Sequence, residues 1–446
     1  MSYILFSMLL GVIAGVISFR KSLAPLFVAV GTFLAFGVIN YWTMPVLSSW
    51  GFDAVWVQLF LACVIGIIGS VIGDNDWEGS DWFRVIPAGI LIILCCVRIC
   101  SSSEFFNTRE YQKLLKVETV ADSTFNNSVH PIPVEKMISV KREYAEDIAS
   151  KRIEQIPSLG SRCYFGKGTM INLNGKFSAK DALGKPINLE FDNEKVWVMP
   201  LEHDGFWKWN RYETTPGYAI VSAINPERNF FLTEIEGQPL KLRYLASAWF
   251  GDEIERYVRS NGYASYGLTD YTMELDDKGF PYWVITIFEP TIGFSGQEAT
   301  GTLIVDVQTG EIKEYSIKET PAWVDRIQSD DILSEQIRCW GEYGNGWWNA
   351  TMFGAKEGVR QATPGMSLVY SEGKSFWYTG IQSVGGDKST SGFMLIDSRT
   401  KECKLYSTSG INEQAAMNVI ESQSEWVRMS KFMANYPVLY NIHGVP

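Results

Sequence analysis

The chain has 446 residues, of which 46% are hydrophobic and 20% are charged, and its formal net charge is −11 at pH 7. This length predicts about two to four domains. The acidic balance, without any run of lysine and arginine, excludes nucleic acid as an expected partner, because phosphate binding needs clustered positive charge.

Four long apolar stretches fill the first part of the chain. They cover residues 2–19, 23–39, 55–72 and 83–100. A bilayer core requires about 20 apolar residues in a helix, because lipid offers no partner for an unpaired backbone amide. The sequence therefore predicts a transmembrane region of about four helices over residues 1–100, with the membrane as its partner.

The distribution of basic residues predicts the orientation of these helices. Arg20 and Lys21 follow the first stretch and Arg84 precedes the fourth, whereas the loop at 43–53 has no basic residue. Loops rich in lysine and arginine stay in the cytoplasm. We therefore expect an integral membrane protein whose C-terminal domain is extracytoplasmic. Basic residues just beyond the fourth stretch favour the opposite orientation, and they are Arg98, Arg109, Lys113 and Lys116.

A polar linker, or stalk, is predicted over residues 101–133. It begins with three serines at 101–103, and Pro131 and Pro133 stand at alternate positions near its end. Proline at this spacing prevents a helix and favours an extended chain.

After the linker, one pattern of residues recurs three times. A helical segment is followed by an apolar strand that carries Trp, then by Gly, by a small polar residue five positions on, and by an aromatic residue nine positions further. The three sets are Trp197, Gly217, Ser222 and Phe231; Trp283, Gly301, Asp306 and Tyr315; and Trp377, Gly392, Asp397 and Tyr406. In each copy, apolar spacings of helical period give way to alternation of period two.

The pattern predicts an α+β C-terminal domain of tandem blocks, each a helix followed by an antiparallel meander. The predicted blocks are residues 134–236, 237–321 and 322–410. Stacked copies would cover the open sheet edges that a single block leaves. Residues 411–446 are predicted to form a helix and the start of a truncated fourth block, because residues 441–446 parallel the turn that precedes Trp283.

One strand and turn of the second block carries a resemblance to a known family. Residues 305–312 read Val-Asp-Val-Gln-Thr-Gly-Glu-Ile, and residues 396–403 follow the same pattern with Lys401 in place of Gly. This motif resembles the PepSY-type module of bacterial membrane and secreted proteins. The first block departs from it, with Ser222 where Asp is expected.

The arrangement of a few spans followed by such blocks also resembles a set of uncharacterised bacterial and phage-borne membrane proteins. The resemblance implies a membrane-proximal binding or regulatory module, sometimes inhibitory towards a neighbouring enzyme. It carries no enzymatic implication by itself.

Motifs for catalysis and for metal binding fail on their spacing. Residues 293–296, Gly-Phe-Ser-Gly, lack one residue that a nucleophile elbow requires. The three histidines are far apart and form no HExxH motif, and no CxxC pair occurs. Asp306 and Asp397 are interpreted as strand-end residues that cap the following turns. The sequence thus predicts no catalytic residue, no metal site and no cofactor.

The candidate ligand-binding residues lie between two predicted strands. They are Glu202, His203, Asp204, Trp207 and Trp209. An acid, an imidazole and several aromatic rings could line a sugar or peptide cleft, since such sites combine aromatic faces with a few polar groups. A loop whose rings cover a sheet edge explains the same residues.

These patterns favour a non-enzymatic, membrane-anchored protein that binds, scaffolds or regulates another envelope protein or an envelope polymer. One alternative is an envelope hydrolase that uses the acidic and aromatic cleft at 202–209. Another is a small channel or transporter component, which is disfavoured because the span interiors carry no charge.

Overall fold

A computed structural model gives the fold of residues 2–18, 24–72, 83–120, 130–131, 137–154, 156–351, 353–371, 373–384, 389–407, 410–411, 413–423 and 441. Apolar helices at the N-terminus are followed by a sheet-rich domain, so the chain has the α+β character that the sequence predicts. Two compact units form. The first comprises residues 1–107, 250–268 and 288–298, and the second comprises residues 108–249, 269–287 and 299–446.

The described part of the chain contains helices of very different length. They are α1 (Tyr3–Ile17), α2 (Ala24–Thr43), α3 (Gln58–Ile72), α4 (Ile86–Ser102), α5 (Glu104–Gln112), α6 (Arg142–Glu154), α7 (Pro157–Gly160), α8 (Phe206–Tyr212), α9 (Ile254–Val258), α10 (Asp330–Glu342), α11 (Trp347–Ala350) and α12 (Glu413–Gln423). A π-helical turn, Phe52–Val57, leads into α3, and a second one, Arg259–Tyr263, follows α9.

The strands are concentrated after residue 160. They are β1 (Val117–Val120), β2 (Cys163–Phe165), β3 (Thr169–Asp181), β4 (Pro186–His203), β5 (Tyr218–Ser222), β6 (Asn229–Ile235), β7 (Gln238–Pro239), β8 (Gly267–Leu275), β9 (Pro281–Ile292), β10 (Ser295–Asp306), β11 (Ile312–Ser316), β12 (Arg360–Ala362), β13 (Ser367–Ser371), β14 (Lys374–Ser383), β15 (Ser389–Thr390), β16 (Gly392–Asp397), β17 (Cys403–Tyr406) and β18 (Gly410–Ile411).

The prediction of four membrane spans needs a correction. Among the described residues, two helices are long and apolar enough to cross a membrane, Pro25–Thr43 and Phe83–Gln112. Tyr3–Ile17 and Val55–Val71 are apolar but shorter. At about 1.5 Å per residue, a 15-residue helix such as α1 reaches roughly 22 Å, less than the hydrocarbon core of about 30 Å.

Glycine residues bring the backbones of α1, α2 and α3 close together in the first unit. A Cβ atom added at Gly11 would lie 2.6 Å from the carbonyl oxygen of Ala29 in α2. One added at Gly66 of α3 would lie 2.8 Å from the carbonyl oxygen of Ala14 in α1. By contrast, a Cβ at Gly31 would meet no atom within 4 Å. Small residues at helix contacts are typical of helices that associate in lipid.

Polar side chains lie inside this helix cluster. Asn40 Nδ2 donates to Ser7 Oγ at 3.0 Å, and Gln58 Nε2 donates to Asn40 Oδ1 at 2.8 Å. All three side chains are buried, whereas apolar residues such as Phe27, which is 73% exposed, face outwards. The polarity is therefore the reverse of that in a helix cluster surrounded by water.

Two later segments of the chain pack on the ends of the helices within the first unit. The Leu47 amide donates to the Ala264 carbonyl oxygen at 2.8 Å. The Phe294 amide donates to the Ser102 hydroxyl oxygen at 2.9 Å. Residues 250–268 and 288–298 thus join the loop before α3 and the end of α4.

Three larger sheets organise the strands. In the first, β3, β4, β5 and β6 form a closed ring, because β4 and β6 each pair with both β3 and β5. The second is an antiparallel meander of order β11-β10-β9-β8. The third has the order β1-β17-β16-β14-β12, with β13 also paired to β14. A plain meander is therefore absent from the described residues of the first sheet, where the 13 residues of β3 and the 18 of β4 are long enough to close the ring.

Helices α6 and α10 agree with the helices predicted at the start of the first and third blocks. The predicted second-block helix is shorter than its apolar spacing suggests, since α9 has five residues and follows a 3₁₀ turn at Phe250–Asp252. Helix α12 lies in the predicted fourth block, and residues 442–446, its expected continuation, lie outside the described residues.

The stalk prediction for residues 101–133 also needs a correction. Helix α5 occupies part of this range, and β1 pairs in parallel with β17. Val117 and Val120 are β-branched, and their strand covers an edge of the third sheet that would otherwise be open.

Three tryptophans of the domain, two buried and one partly buried, make the same hydrogen bond. In each case the indole Nε1 donates to the carbonyl oxygen of a residue that precedes a helical segment. The pairs are Trp197 with Val140 (2.8 Å), Trp283 with Tyr244 (2.7 Å) and Trp377 with Gln328 (2.9 Å). The indole thereby fixes where that segment enters the fold.

The residues that precede each helical segment also donate hydrogen bonds. Two consecutive amides point to a single carbonyl oxygen just beyond a strand end, at 2.8 to 3.0 Å. The donors and acceptors are Ser139 and Val140 to Ala223, Arg243 and Tyr244 to Val307, and Ile327 and Gln328 to Ser398. Indole and amides together satisfy buried backbone groups on both sides of each junction.

The residue before each accepting carbonyl caps its own turn. Asp306 Oδ1 accepts from the amides two and three positions on, at 2.7 and 2.9 Å, and Asp397 Oδ1 does so at 2.9 and 2.8 Å. Ser222 Oγ accepts the corresponding pair at 3.2 Å each. The interpretation of Asp306 and Asp397 as turn-capping residues is confirmed. Lys401 has a φ of +67°, close to the +77° of Gly310 at the equivalent place.

The glycines of the pattern stand where two strands approach closely. A Cβ added at Gly301 would lie 2.3 Å from the carbonyl oxygen of Tyr315, and one at Gly392 would lie 2.3 Å from that of Tyr406. Any side chain at these positions would push the paired strands apart.

We expect Trp377→Phe to lower the free energy of unfolding by about 2 kcal/mol, because the buried Gln328 carbonyl loses its donor. Trp207→Phe is the matched control, since Trp207 is 77% exposed, and should change it by less than about 0.5 kcal/mol. Chemical denaturation of the full chain in detergent measures both, and equal effects would contradict the structural role of the indole.

Gly11→Leu should destabilise the helix cluster by about 2 kcal/mol, because the added side chain must displace α2. Gly31→Leu, on a helix face with free space, should leave stability nearly unchanged. Thermal unfolding of the two variants in the same detergent compares them. A similar loss for Gly31→Leu would show that the close contact at Gly11 does not hold the helices together.

Candidate functional site

The predicted ligand-binding residues lie at the end of β4 and on α8. Glu202 and His203 are the last residues of β4, where they pair with β2. Asp204 lies in the next turn, and Trp207 and Trp209 belong to α8. Glu202 is 3% exposed and His203 is 1% exposed, whereas Trp207 is 77% exposed. The structure thus separates the buried acid and imidazole from the exposed indole.

Glu202 is tied to Ser247. Its carboxylate accepts from the Ser247 amide at 3.0 Å and from the Ser247 hydroxyl group. The Ser247 hydroxyl oxygen in turn accepts from the His203 amide at 2.7 Å. Burial raises the pKa of Glu202, and the hydrogen bonds from Ser247 act in the opposite direction. This arrangement fixes the end of β4 to the segment at 244–248 and leaves the carboxylate closed to a substrate.

The aromatic part of the predicted site is open. The Phe206 ring lies 5.1 Å from the Trp207 ring, 5.8 Å from the Trp209 ring and 5.2 Å from the Trp249 ring, centroid to centroid. Asp204 is exposed and lies 3.9 Å from Lys208 Nζ. A molecule that reached α8 would therefore meet rings and Asp204, but neither Glu202 nor His203.

A second group of ionisable residues was missed by the sequence reasoning. Glu274 of β8 is fully buried and Asp325, just before α10, is 6% exposed. The Asp325 amide donates to Glu274 Oε2 at 3.0 Å, and the Asn172 amide donates to the Asp325 carboxylate. Two carboxyl groups thus share a site that water scarcely reaches.

Burial dominates the protonation of this pair. It raises the pKa of Glu274 to about 8, with the charge of Asp325 adding to the shift and Arg326 opposing it. It raises the pKa of Asp325 to about 7, against the Asn172 amide and the charges of Arg326 and Arg399. Carboxyl groups with such pKa values are partly protonated near neutral pH. Shifted pKa values of this kind are often found at functional sites.

The sequence contains a weak signal for this pair. Glu274 stands between Met273 and Leu275, both buried, in a strand whose neighbours are apolar. Asp325 likewise follows Val324, which is buried. An acid next to apolar residues in this way is compatible with a buried carboxyl group, but the sequence does not reveal that the two segments meet.

Comparison of the chain with protein-family models, with curated proteins and with solved structures finds no match. The likeness of residues 305–312 to the PepSY-type motif therefore stays a prediction from the sequence. What bears on function is the geometry of the chain itself.

We expect Glu202→Ala to lower the free energy of unfolding by about 1–3 kcal/mol, because the amide and hydroxyl of Ser247 lose a buried acceptor. Asp204→Ala, two positions further along the chain and exposed, is the control and should change it by less than about 0.5 kcal/mol. Chemical denaturation at neutral pH measures both. If Glu202→Ala leaves the free energy of unfolding unchanged, the Glu202 carboxylate does not stabilise the fold and is free for another role.

Proposed function

We propose that the protein is a membrane-anchored, non-enzymatic component of the cell envelope. In this proposal the helices of the first unit span the membrane. The sheet-rich domain is extracytoplasmic and acts as a scaffold that binds or regulates another envelope protein or an envelope polymer.

The reversed polarity of the first unit is the observation that carries the proposal. Ser7, Asn40 and Gln58 bond to one another inside the helix cluster, whereas large apolar side chains face outwards. In water this surface would be a large exposed apolar patch. In a bilayer the outer residues meet lipid and the inner polar groups find their partners within the protein.

The packing places the two shorter apolar helices, α1 and α3, beside helices that are long enough to cross a membrane. The 6 residues of the π-helical turn Phe52–Val57 and the 15 of α3 form one continuous segment of 21 residues. Helix α1 contacts α2 at Gly11, and α3 contacts α1 at Gly66. Both shorter helices thus share the apolar environment of the two long helices, Pro25–Thr43 and Phe83–Gln112.

Contacts at the helix ends support an even number of spans. The Tyr3 hydroxyl donates to the Pro45 carbonyl oxygen at 3.0 Å, so the start of α1 and the end of α2 lie on one side. Arg84 Nη1 donates to the Ile17 carbonyl oxygen at 3.3 Å, so the start of α4 lies beside the end of α1. The basic loops would then share the cytoplasmic side.

The matched hydrogen bonds of the three tryptophans support a domain of related blocks. They account for the recurrent Trp, Gly and Asp as residues that close strands onto helical segments. In this proposal the recurrent residues serve the fold itself, and a partner binds at exposed elements such as α8. The PepSY-like interpretation of residues 305–312 is part of this proposal.

The orientation can be tested by labelling engineered cysteines in intact cells. Leu183, which is 75% exposed in the domain, is replaced by Cys in one variant, and Trp77, which stands between the third and fourth apolar stretches of the sequence, is replaced by Cys in another. We expect a membrane-impermeant maleimide to label Leu183→Cys in intact cells and Trp77→Cys only after lysis, above the signal of the unmodified chain. Both variants should stay in the membrane pellet after alkaline washing.

The opposite labelling pattern would place the domain in the cytoplasm and contradict the proposed orientation. Release of the chain by alkaline washing would contradict the anchor itself, since only helices that span the bilayer resist this treatment.

A further inference from the structure

Asp325 is a point at which all three larger sheets meet. Its carboxylate accepts from the amide of Asn172 in β3, and its amide donates to Glu274 in β8 at 3.0 Å. Its carbonyl oxygen accepts from the hydroxyls of Ser375 in β14 and Ser398 just after β16, each at 2.7 Å. Each polar group of this one residue is thus bonded to a different sheet.

The neighbouring segment is held by the third sheet as well. The Arg399 guanidinium donates to the carbonyl oxygens of Thr320 at 2.8 Å, of Pro321 at 3.0 Å and of Val324. The Tyr370 hydroxyl of β13 donates to the Met170 carbonyl oxygen of β3 at 3.3 Å. Hydrogen bonds and charges around residues 320–328 therefore contribute to the junction of the sheets, beside the buried apolar contacts of Val324 and Ile327.

The charges that face Glu274 and Asp325 come from every element packed against them. They are Asp270 of β8, Arg326 beside Asp325, Lys195 of β4 and Arg399 of the turn after β16, and the titratable but uncharged Tyr370 of β13 faces the same pair. Arg399 donates hydrogen bonds to three backbone carbonyl oxygens, and Arg326 also interacts with the charge of Asp270. Lys195, Arg326 and Arg399 match the charges of Asp270, Glu274 and Asp325 when all three acids are ionised, but burial of the pair away from water makes each negative charge on it costly.

We propose that the Glu274 and Asp325 carboxyl groups form a proton-dependent latch, which locks the three sheets together while it holds a proton and loosens their junction when the last proton leaves. The latch would make the rigidity of the domain sensitive to pH. This inference goes beyond the proposed function and does not depend on what the domain binds or on its side of the membrane.

The protonation of the pair sets the direction of the effect. The folded-state pKa values are about 8 for Glu274 and about 7 for Asp325, whereas the ordinary values are 4.5 and 3.8. Because the two groups interact, the titration belongs to the pair. At pH values between the ordinary and the folded-state pKa values, the folded chain holds more protons than the unfolded chain. The free energy of unfolding therefore falls as the pH rises from about 5 to about 8.

The test is the pH dependence of thermal unfolding of the full chain in detergent, followed by the circular dichroism of its sheets. For the unmodified chain we expect the unfolding temperature to fall by roughly 5 °C or more between about pH 6 and pH 9. Glu274→Gln keeps an acceptor for the Asp325 amide and carries no charge, so its unfolding temperature should fall by clearly less over that range, because only Asp325 of the pair still titrates. Glu311→Gln, at an exposed glutamate, should retain the full fall.

A flat profile for the unmodified chain, or a Glu274→Gln profile that falls as steeply, would overturn the proposal. If Glu274→Gln does not fold, infrared spectra of the unmodified chain decide. The carbonyl band of a protonated carboxylic acid should be present near pH 6 and lost by about pH 9. Its persistence, or its absence at both values, would equally overturn the latch.

Discussion

The domain depends on one recurring set of hydrogen bonds, which join the end of a strand to the segment that precedes a helix. An indole closes on one carbonyl oxygen, and two consecutive amides close on another, at three separate places. A buried backbone group that loses its partner costs about 1–3 kcal/mol, comparable to a large share of a domain's stability. The recurrent glycine and the capping Ser or Asp thus stand at a fixed interval, with the tryptophan at a varying distance before them, because packing and turn geometry require these residues there.

The junction between the sheets follows a different principle. Asp325 bonds to all three sheets, and the carboxyl group beside it, Glu274, has little access to water. Such a site is stable only when its protons and cations balance its negative charges. In the proposed latch, a change in that balance would alter how firmly the three sheets are joined at Asp325.

Much of the fold could be predicted because it rests on local patterns. The helices α6 and α10, the strands that carry the tryptophans and the turns capped by Asp306 and Asp397 follow from periodicity and turn chemistry. The candidate site could not be predicted in the same way. Glu202 and His203 read as part of a polar loop, but β2, about 40 residues earlier in the chain, pairs with them and extends β4 to His203. Glu274 and Asp325 are 51 residues apart, so their contact has no local signature.

By itself, the sequence determined which segments are apolar enough to form helices in the first unit and where the recurrent strands and turns of the domain lie, because these depend on interactions within a few residues. The tertiary structure alone decided that α1 packs against both α2 and α3, that β1 covers an edge of the third sheet, and that the first sheet closes into a ring. It also decided which acids are buried. Burial and the pKa of a carboxyl group depend on what distant parts of the chain bring against it, and that information is absent from the neighbouring residues.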